Sequence, residues 1–175
     1  MKSVIPINVL INNVRSMTNP ILTILLCSLF LYSPISAQAQ ISRNIPVYNL
    51  EAGIGLKGYD PVSYFPEGGE NPLPGDSDIS LNFEGVIYLF SNTTNRDLFM
   101  ENPSRYEPTY GGWCAYAMAS GSKVDIQPMI FTINGNRLHF FVSHRAKRNF
   151  DSDILGFETR ADEFWRKISG EDPRK

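Results

Sequence analysis

Four side chains carry donor atoms suited to chemistry. They are Cys114, Met118, His139 and His144. The thiol of Cys114 follows Gly111-Gly112-Trp113, at the expected start of a helix. Backbone N–H groups and the helix dipole there favour an anion and lower a thiol pKa. Met118 is four residues on, so it shares the helical face. A thiolate and a thioether on one face suit Cu(I) or another soft transition metal. His139 and His144 are the only histidines, and either can complete such a site if the second hairpin packs on this helix. The same residue types fit a bland reading. Free cysteine and methionine are common core fillers, and a buried thiol is inert. A third reading is a thiol-dependent redox protein.

A second constellation surrounds Asp60. Its carboxylate, with Tyr59, Tyr64, Tyr110 and Trp113, defines a candidate ligand pocket. The competing reading of Asp60 is an N-cap, with Pro61 at the first helical position. Recognised catalytic signatures are missing. The chain has no G-x-S-x-G, H-E-x-x-H or G-x-x-x-x-G-K pattern. Gly53-Ile54-Gly55-Leu56-Lys57-Gly58 matches G-x-G-x-x-G in form only, because no buried strand precedes it and Tyr59-Asp60-Pro61 follows.

The elements that must position these residues can be read in order. Residues 40–55 read as an extended leader. A short helix entry is expected at Lys57–Phe65, then a loop through Asp78. Ile79–Phe83 and Val86–Phe90 flank Glu84-Gly85 as a hairpin. Ser91 or Asn92 caps a helix with Leu98 and Phe99 inward, ended by Asn102-Pro103. Trp113–Ser120 is apolar on every face, which predicts a buried helix stopped by Gly121. Met129–Ile133 and Arg137–Val142 flank Asn134-Gly135-Asn136 as a second hairpin. Ser143 caps a basic helix to about Phe150, and a last helix covers about Thr159–Ile168. Hairpins separated by helices predict an α+β fold, a small single domain with two β-hairpins packed against short helices.

With these elements placed, a family resemblance can be read. Gly58-Tyr59-Asp60-Pro61-Val62-Ser63-Tyr64-Phe65 resembles the opening GYDPVAYF of exported YHS-domain proteins. Phe83-Glu84-Gly85, Tyr88-Leu89-Phe90-Ser91, Asn95-Arg96-Asp97, Tyr106-Glu107-Pro108 and Tyr110-Gly111-Gly112-Trp113-Cys114-Ala115 are similar to further blocks of that family. So are Asn134–Leu138 and Ala161-Asp162 with Trp165. The resemblance runs over roughly residues 56–166, leaving 169–175 as a tail. Related YHS and TRASH-type modules are thought to hold metals through cysteines, so it implies a metal-binding or other small-ligand module. In those modules cysteines stand at the turn before the first strand and at the strand-to-helix step. Here that step reads Phe90–Asn95 without a cysteine, and Cys114 lies in the block specific to the exported subgroup.

Export is also written at the N-terminus. Residues 1–40 hold no Asp or Glu, while Lys2 and Arg15 are basic. Ile21–Tyr32 is an apolar run too short to span a bilayer as a helix. Ser33-Pro34 and Ala37-Gln38-Ala39 follow, so residues 1–39 are read as a signal peptide cleaved after Ala39. Met17 is an alternative start, and an uncleaved anchor is the competing reading. Cleavage implies a periplasmic or secreted protein with no transmembrane helix. Only Cys114 then survives of the two cysteines, so no internal disulfide can form. The processed chain keeps 14 basic against 18 acidic residues, without the basic excess that nucleic-acid binding needs. The expected partner is a small ligand or another protein. The three open classes are an exported small-ligand binding module, a structural or partner-binding domain, and a thiol-dependent redox protein.

Overall fold

The computed structural model describes residues 43–174. The predicted signal segment lies outside the described residues. The strands are β1 (Asp76–Phe83), β2 (Val86–Phe90), β3 (Gln127–Asn134) and β4 (Arg137–Phe141). The helices are α1 (Thr93–Glu101), α2 (Pro103–Tyr106), α3 (Ala115–Met118), α4 (His144–Asp151) and α5 (Ile154–Ser169). Two separate antiparallel hairpins, β1–β2 and β3–β4, stand among these helices, so the fold is α+β.

Each hairpin is closed by the turn its residues demand. Glu84 and Gly85 both have positive φ, at 48° and 93°, which defines the mirror-image turn whose twist suits paired strands. Gly135 alone takes positive φ in the second turn, the geometry with glycine at the first central position. Pairing runs Phe83↔Val86 to Ser80↔Leu89 and Asn134↔Arg137 to Phe131↔Phe140. Beyond these pairs each longer strand bulges before rejoining at Asp76↔Phe90 or Gln127↔Phe141. The bulges are why β1 and β3 start earlier than the alternation of side chains suggests.

On β2 the alternation is clean, with Val86, Tyr88 and Phe90 buried. Against them lies Phe99 of α1, whose ring meets Phe83, Tyr88, Phe90 and Tyr106 at centroid distances of 5.7, 4.9, 5.4 and 6.3 Å. Tyr64 links this side to the second hairpin, edge-on to Phe131 and Phe140. Both hairpins therefore feed one aromatic core. The side chain of Asn92 caps α1 on Asn95 N, and that of Ser143 caps α4 on Ala146 N, as their positions predict.

Four local expectations differ from the structure. No helix starts at Asp60; the segment turns instead, with Ser63 N bonded to Asp60 O at 3.2 Å. The apolar Trp113–Ser120 run yields only the single turn α3. Gly111 and Gly112 adopt positive φ, and Cys114 is extended because its N–H bonds Val124 O. A Cβ on Gly111 would come within 2.7 Å of Trp165, so this loop lies flush on α5. The last helix begins at Ile154, five residues early, because the Asp153 side chain caps Gly156 N. Finally, residues 43–55 and 169–174 are not a leader and a tail. Asn49 N bonds Gly111 O, Trp113 Nε1 bonds Val47 O, and Glu171 is buried.

Phe99→Ala removes the ring on which the first hairpin rests, and is expected to cost about 3–5 kcal/mol. The exposed neighbour Met100→Ala is expected to stay within about 0.5 kcal/mol. Urea unfolding of both variants checks this.

Candidate functional site

Glu107 follows α2, where Pro108 stops the helix and Tyr106 anchors it in the core. Its side chain is only 3 % exposed. A carboxylate so buried needs partners of opposite charge. It has four donors. Arg43 Nη1 and Nη2 donate at 2.5 and 3.1 Å, Tyr88 Oη at 2.9 Å and Arg174 Nε at 3.0 Å. A second carboxylate, Glu171, accepts from Tyr48 Oη at 2.6 Å, Asn44 N at 2.7 Å and Arg174 Nη2 at 3.3 Å. The Arg43 guanidinium also sits over the Phe83 and Tyr48 rings, 5.1 and 5.6 Å from their centroids.

Electrostatics follow from this packing. Burial alone would lower the Arg43 pKa, but the hydrogen bond and charge of Glu107 more than reverse it. Burial, then the bond to Glu171, raises the Tyr48 phenol well above its usual range; burial does the same for Tyr88. Two cations, two carboxylates and two neutral phenols thus form one ionic junction.

A cleft of about 400 Å³ opens above this junction. Arg43, Glu107, Glu171 and Arg174 form its charged floor, Phe83 and Pro103 its apolar walls. Glu84, Ser104 and Asp172 complete the lining and are all exposed; the Glu84 side chain is 53 % and the Asp172 side chain 81 % exposed. Glu84 pairs with Arg43 at 2.6 Å and Asp172 with Arg166 at 2.8 Å. The volume is in the range of small-molecule sites.

The residues singled out by sequence lie elsewhere. Cys114 is fully buried, as is Met118. His139 is buried on β4, and its Nδ1 has no hydrogen-bond partner, so the thiol is not paired with it. His144 is exposed at the start of α4. Among the described residues no three His, Cys, Asp or Glu side chains converge as metal ligands would. The set Cys114, Met118, His139 and His144 is therefore not assembled. The reason is local: α3 starts one residue after Cys114, and the Cys114 backbone bridges Phe140 deep beside β4.

Tyr59, Asp60, Tyr64, Tyr110 and Trp113 are each engaged by separate partners. Asp60 is a buried junction, accepting from Val62 N and Ser91 N at 2.9 Å, Ser91 Oγ at 2.7 Å and Asn95 Nδ2 at 2.6 Å. Tyr59 pairs with Pro74, and Trp113 donates to Val47 O. Tyr64 is wedged among aromatic rings with its hydroxyl unpartnered. Tyr110 donates to Asp162 at 2.8 Å and accepts from Arg137 at 3.1 Å.

Arg137 belongs to a second buried network. It bridges Glu158 at 3.0 Å and Asp162 at 2.5 Å, and Glu158 meets His139 Nε2 at 2.7 Å. Burial lowers the His139 pKa against the opposing pull of Glu158. Burial would raise the Glu158 pKa, but the bonds from His139 and Asn134 and the charge of Arg137 lower it. With His139 neutral, its proton lies at Nε2 toward the carboxylate, and Nδ1 is a bare acceptor.

Sequence reasoning missed Arg43, Glu107, Glu171 and Arg174. Glu107 had one signal, a charge set between Tyr106 and Pro108 in a largely apolar block. Nothing local links it to Arg43, 64 residues away, or to Arg174, 67 residues away. Comparison with protein-family models, curated proteins and solved structures gives no match.

Two outcomes follow from this geometry. The folded His139 binds a proton less readily than the unfolded one, so its contribution is complete above about pH 6.5 and falls as pH drops below that. Glu158 adds a loss of the same sign below about pH 4.5. The urea midpoint should decline between pH 7 and 5, with a shallower slope in His139→Gln; equal slopes would assign the decline to other groups. Cys114 in the native chain should resist a small alkylating reagent at pH 7 and react fully in urea, as peptide mass mapping reads out.

Proposed function

We propose that this chain is an exported small-ligand binding module of the YHS-domain kind, acting in the periplasm or outside the cell through the cleft above Glu107. The observation that carries the reading is the cleft itself. It is a concavity of ligand size whose floor is an ionic junction of two arginines and two carboxylates and whose walls are apolar. Buried ion pairs are poor stabilisers compared with hydrocarbon of the same volume. Their presence beneath an open cleft fits a preorganised polar floor better than it fits packing.

Binding, rather than catalysis, fits the groups present. Glu107 has its acceptor sites filled by four donors, and both phenols are held neutral, so none is poised to exchange protons. The sealed thiol argues against redox work, and the dispersed donors against a copper site built on Cys114. The motif resemblance and the signal-like N-terminus support export and family.

The test is an NMR titration of the processed chain with a panel of amino acids, polyamines and organic acids. A binder should shift resonances of Phe83, Ser104 and Arg174 together. Ser104→Trp, at an exposed position, should close the mouth and weaken binding at least tenfold without lowering stability by more than about 0.5 kcal/mol. Shifts that cluster elsewhere, or survive Ser104→Trp unchanged, would remove the cleft from consideration.

A further inference from the structure

We infer that the cleft takes a small zwitterion, an ammonium and a carboxylate joined by an apolar body, as in a free amino acid. This rests on the cleft being the binding site.

The floor has hydrogen-bond donors to spare. Arg174 is engaged inward through Nε, on Glu107, and through Nη2, on Tyr48 and Glu171; among the described residues Nη1 has no partner. Arg43 has a side chain only 6 % exposed, with Nη1 and Nη2 taken by Glu107 and Glu84 and Nε sealed, so it adds positive charge to the floor rather than a free donor. Both arginines line the cleft, and the carboxylates beside them are already occupied. The floor therefore offers an anionic group the N–H donors of Arg174 Nη1, backed by the charge of Arg43.

The mouth offers the reverse. Glu84 gives Oε2 to Arg43 and keeps Oε1 open to a half-exposed surface. The formal charge of the whole lining, two arginines against four carboxylates, is −2, which disfavours a plain anion. Between floor and mouth stand Phe83 and Pro103, a surface for hydrocarbon. Donors below, an acceptor above and an apolar wall between them match a molecule that carries both charges on a compact apolar body. A lone amine leaves the floor donors unmet, and a lone carboxylate meets the negative rim.

Alanine, leucine and phenylalanine, each as free amino acid, methyl ester and N-acetyl derivative, separate the charges. The esters keep only the cation and the N-acetyl forms only the anion. In NMR titrations of the processed chain at pH 7, at least one free amino acid should saturate the cleft resonances. Its ester and N-acetyl form should bind at least tenfold more weakly. Glu84→Gln, at an exposed site, should weaken the free amino acid about tenfold and leave the N-acetyl form no weaker. Equal binding of either blocked form, or no effect of Glu84→Gln, overturns the zwitterion class. If no amino acid binds but another panel member does, and Ser104→Trp abolishes it, the class is wrong and the cleft stands. If nothing in the panel binds, both readings fall.

Discussion

The fold depends on how the carboxylate of Glu107 is neutralised. A charge taken this far from water costs several kcal/mol, and the loss is repaid only by close partners in good geometry. Those partners come from the two ends of the described chain. Arg43 arrives from the N-terminal side and Arg174 from the C-terminal side, and Tyr88 closes the cage from β2. Removing either arginine leaves an undercompensated charge, a class of defect worth about 3–5 kcal/mol. The two ends of the described residues are thereby bound to Glu107 in the interior.

The blocks that carry the family resemblance mostly serve such buried junctions. Asp60 gathers four donors from Val62, Ser91 and Asn95, tying the Gly58–Phe65 segment to the start of α1. Glu107 ties α2 to both termini. Tyr110 meets Arg137 and Asp162 across the second hairpin and α5. Gly111 lets the backbone pass within reach of Trp165. Cys114 follows in the same block with its sulfur enclosed. Motifs of this kind specify architecture, because a buried polar group tolerates only the partner that satisfies it.

This explains which parts were legible in sequence. Strand alternation at Val86–Phe90, the Glu84-Gly85 and Asn134-Gly135 turns, and the Asn92 and Ser143 caps are local signals, and they place the hairpins, α1 and α4. The short α3 was not legible, since an apolar run reads as helix until Val124 claims the Cys114 N–H. The candidate metal set failed for a related reason. Spacing puts Cys114 and Met118 on one helical face, but the helix begins after the cysteine, and β4 buries His139 against Glu158. The cleft residues Arg43 and Arg174 stood in segments that looked like leader and tail. Their bonds to Glu107 span 64 and 67 residues of sequence.

Among the described residues Cys114 is the one cysteine and it is free, so no disulfide fastens their ends. Here an ionic junction does so. Buried pairs are screened weakly by salt, so the junction keeps its strength across a wide range of ionic strength. Its position adds a coupling that a disulfide would not supply. The groups that fasten the termini are also the cleft floor, so a ligand seated there binds only the folded, fastened state. Such a ligand stabilises the fold by mass action, gaining about 2.7 kcal/mol at a hundredfold excess over its dissociation constant. Fastened ends and a preformed floor are thus one structural condition: any change that loosens Arg43 or Arg174 from Glu107 lowers stability and disturbs the cleft floor together.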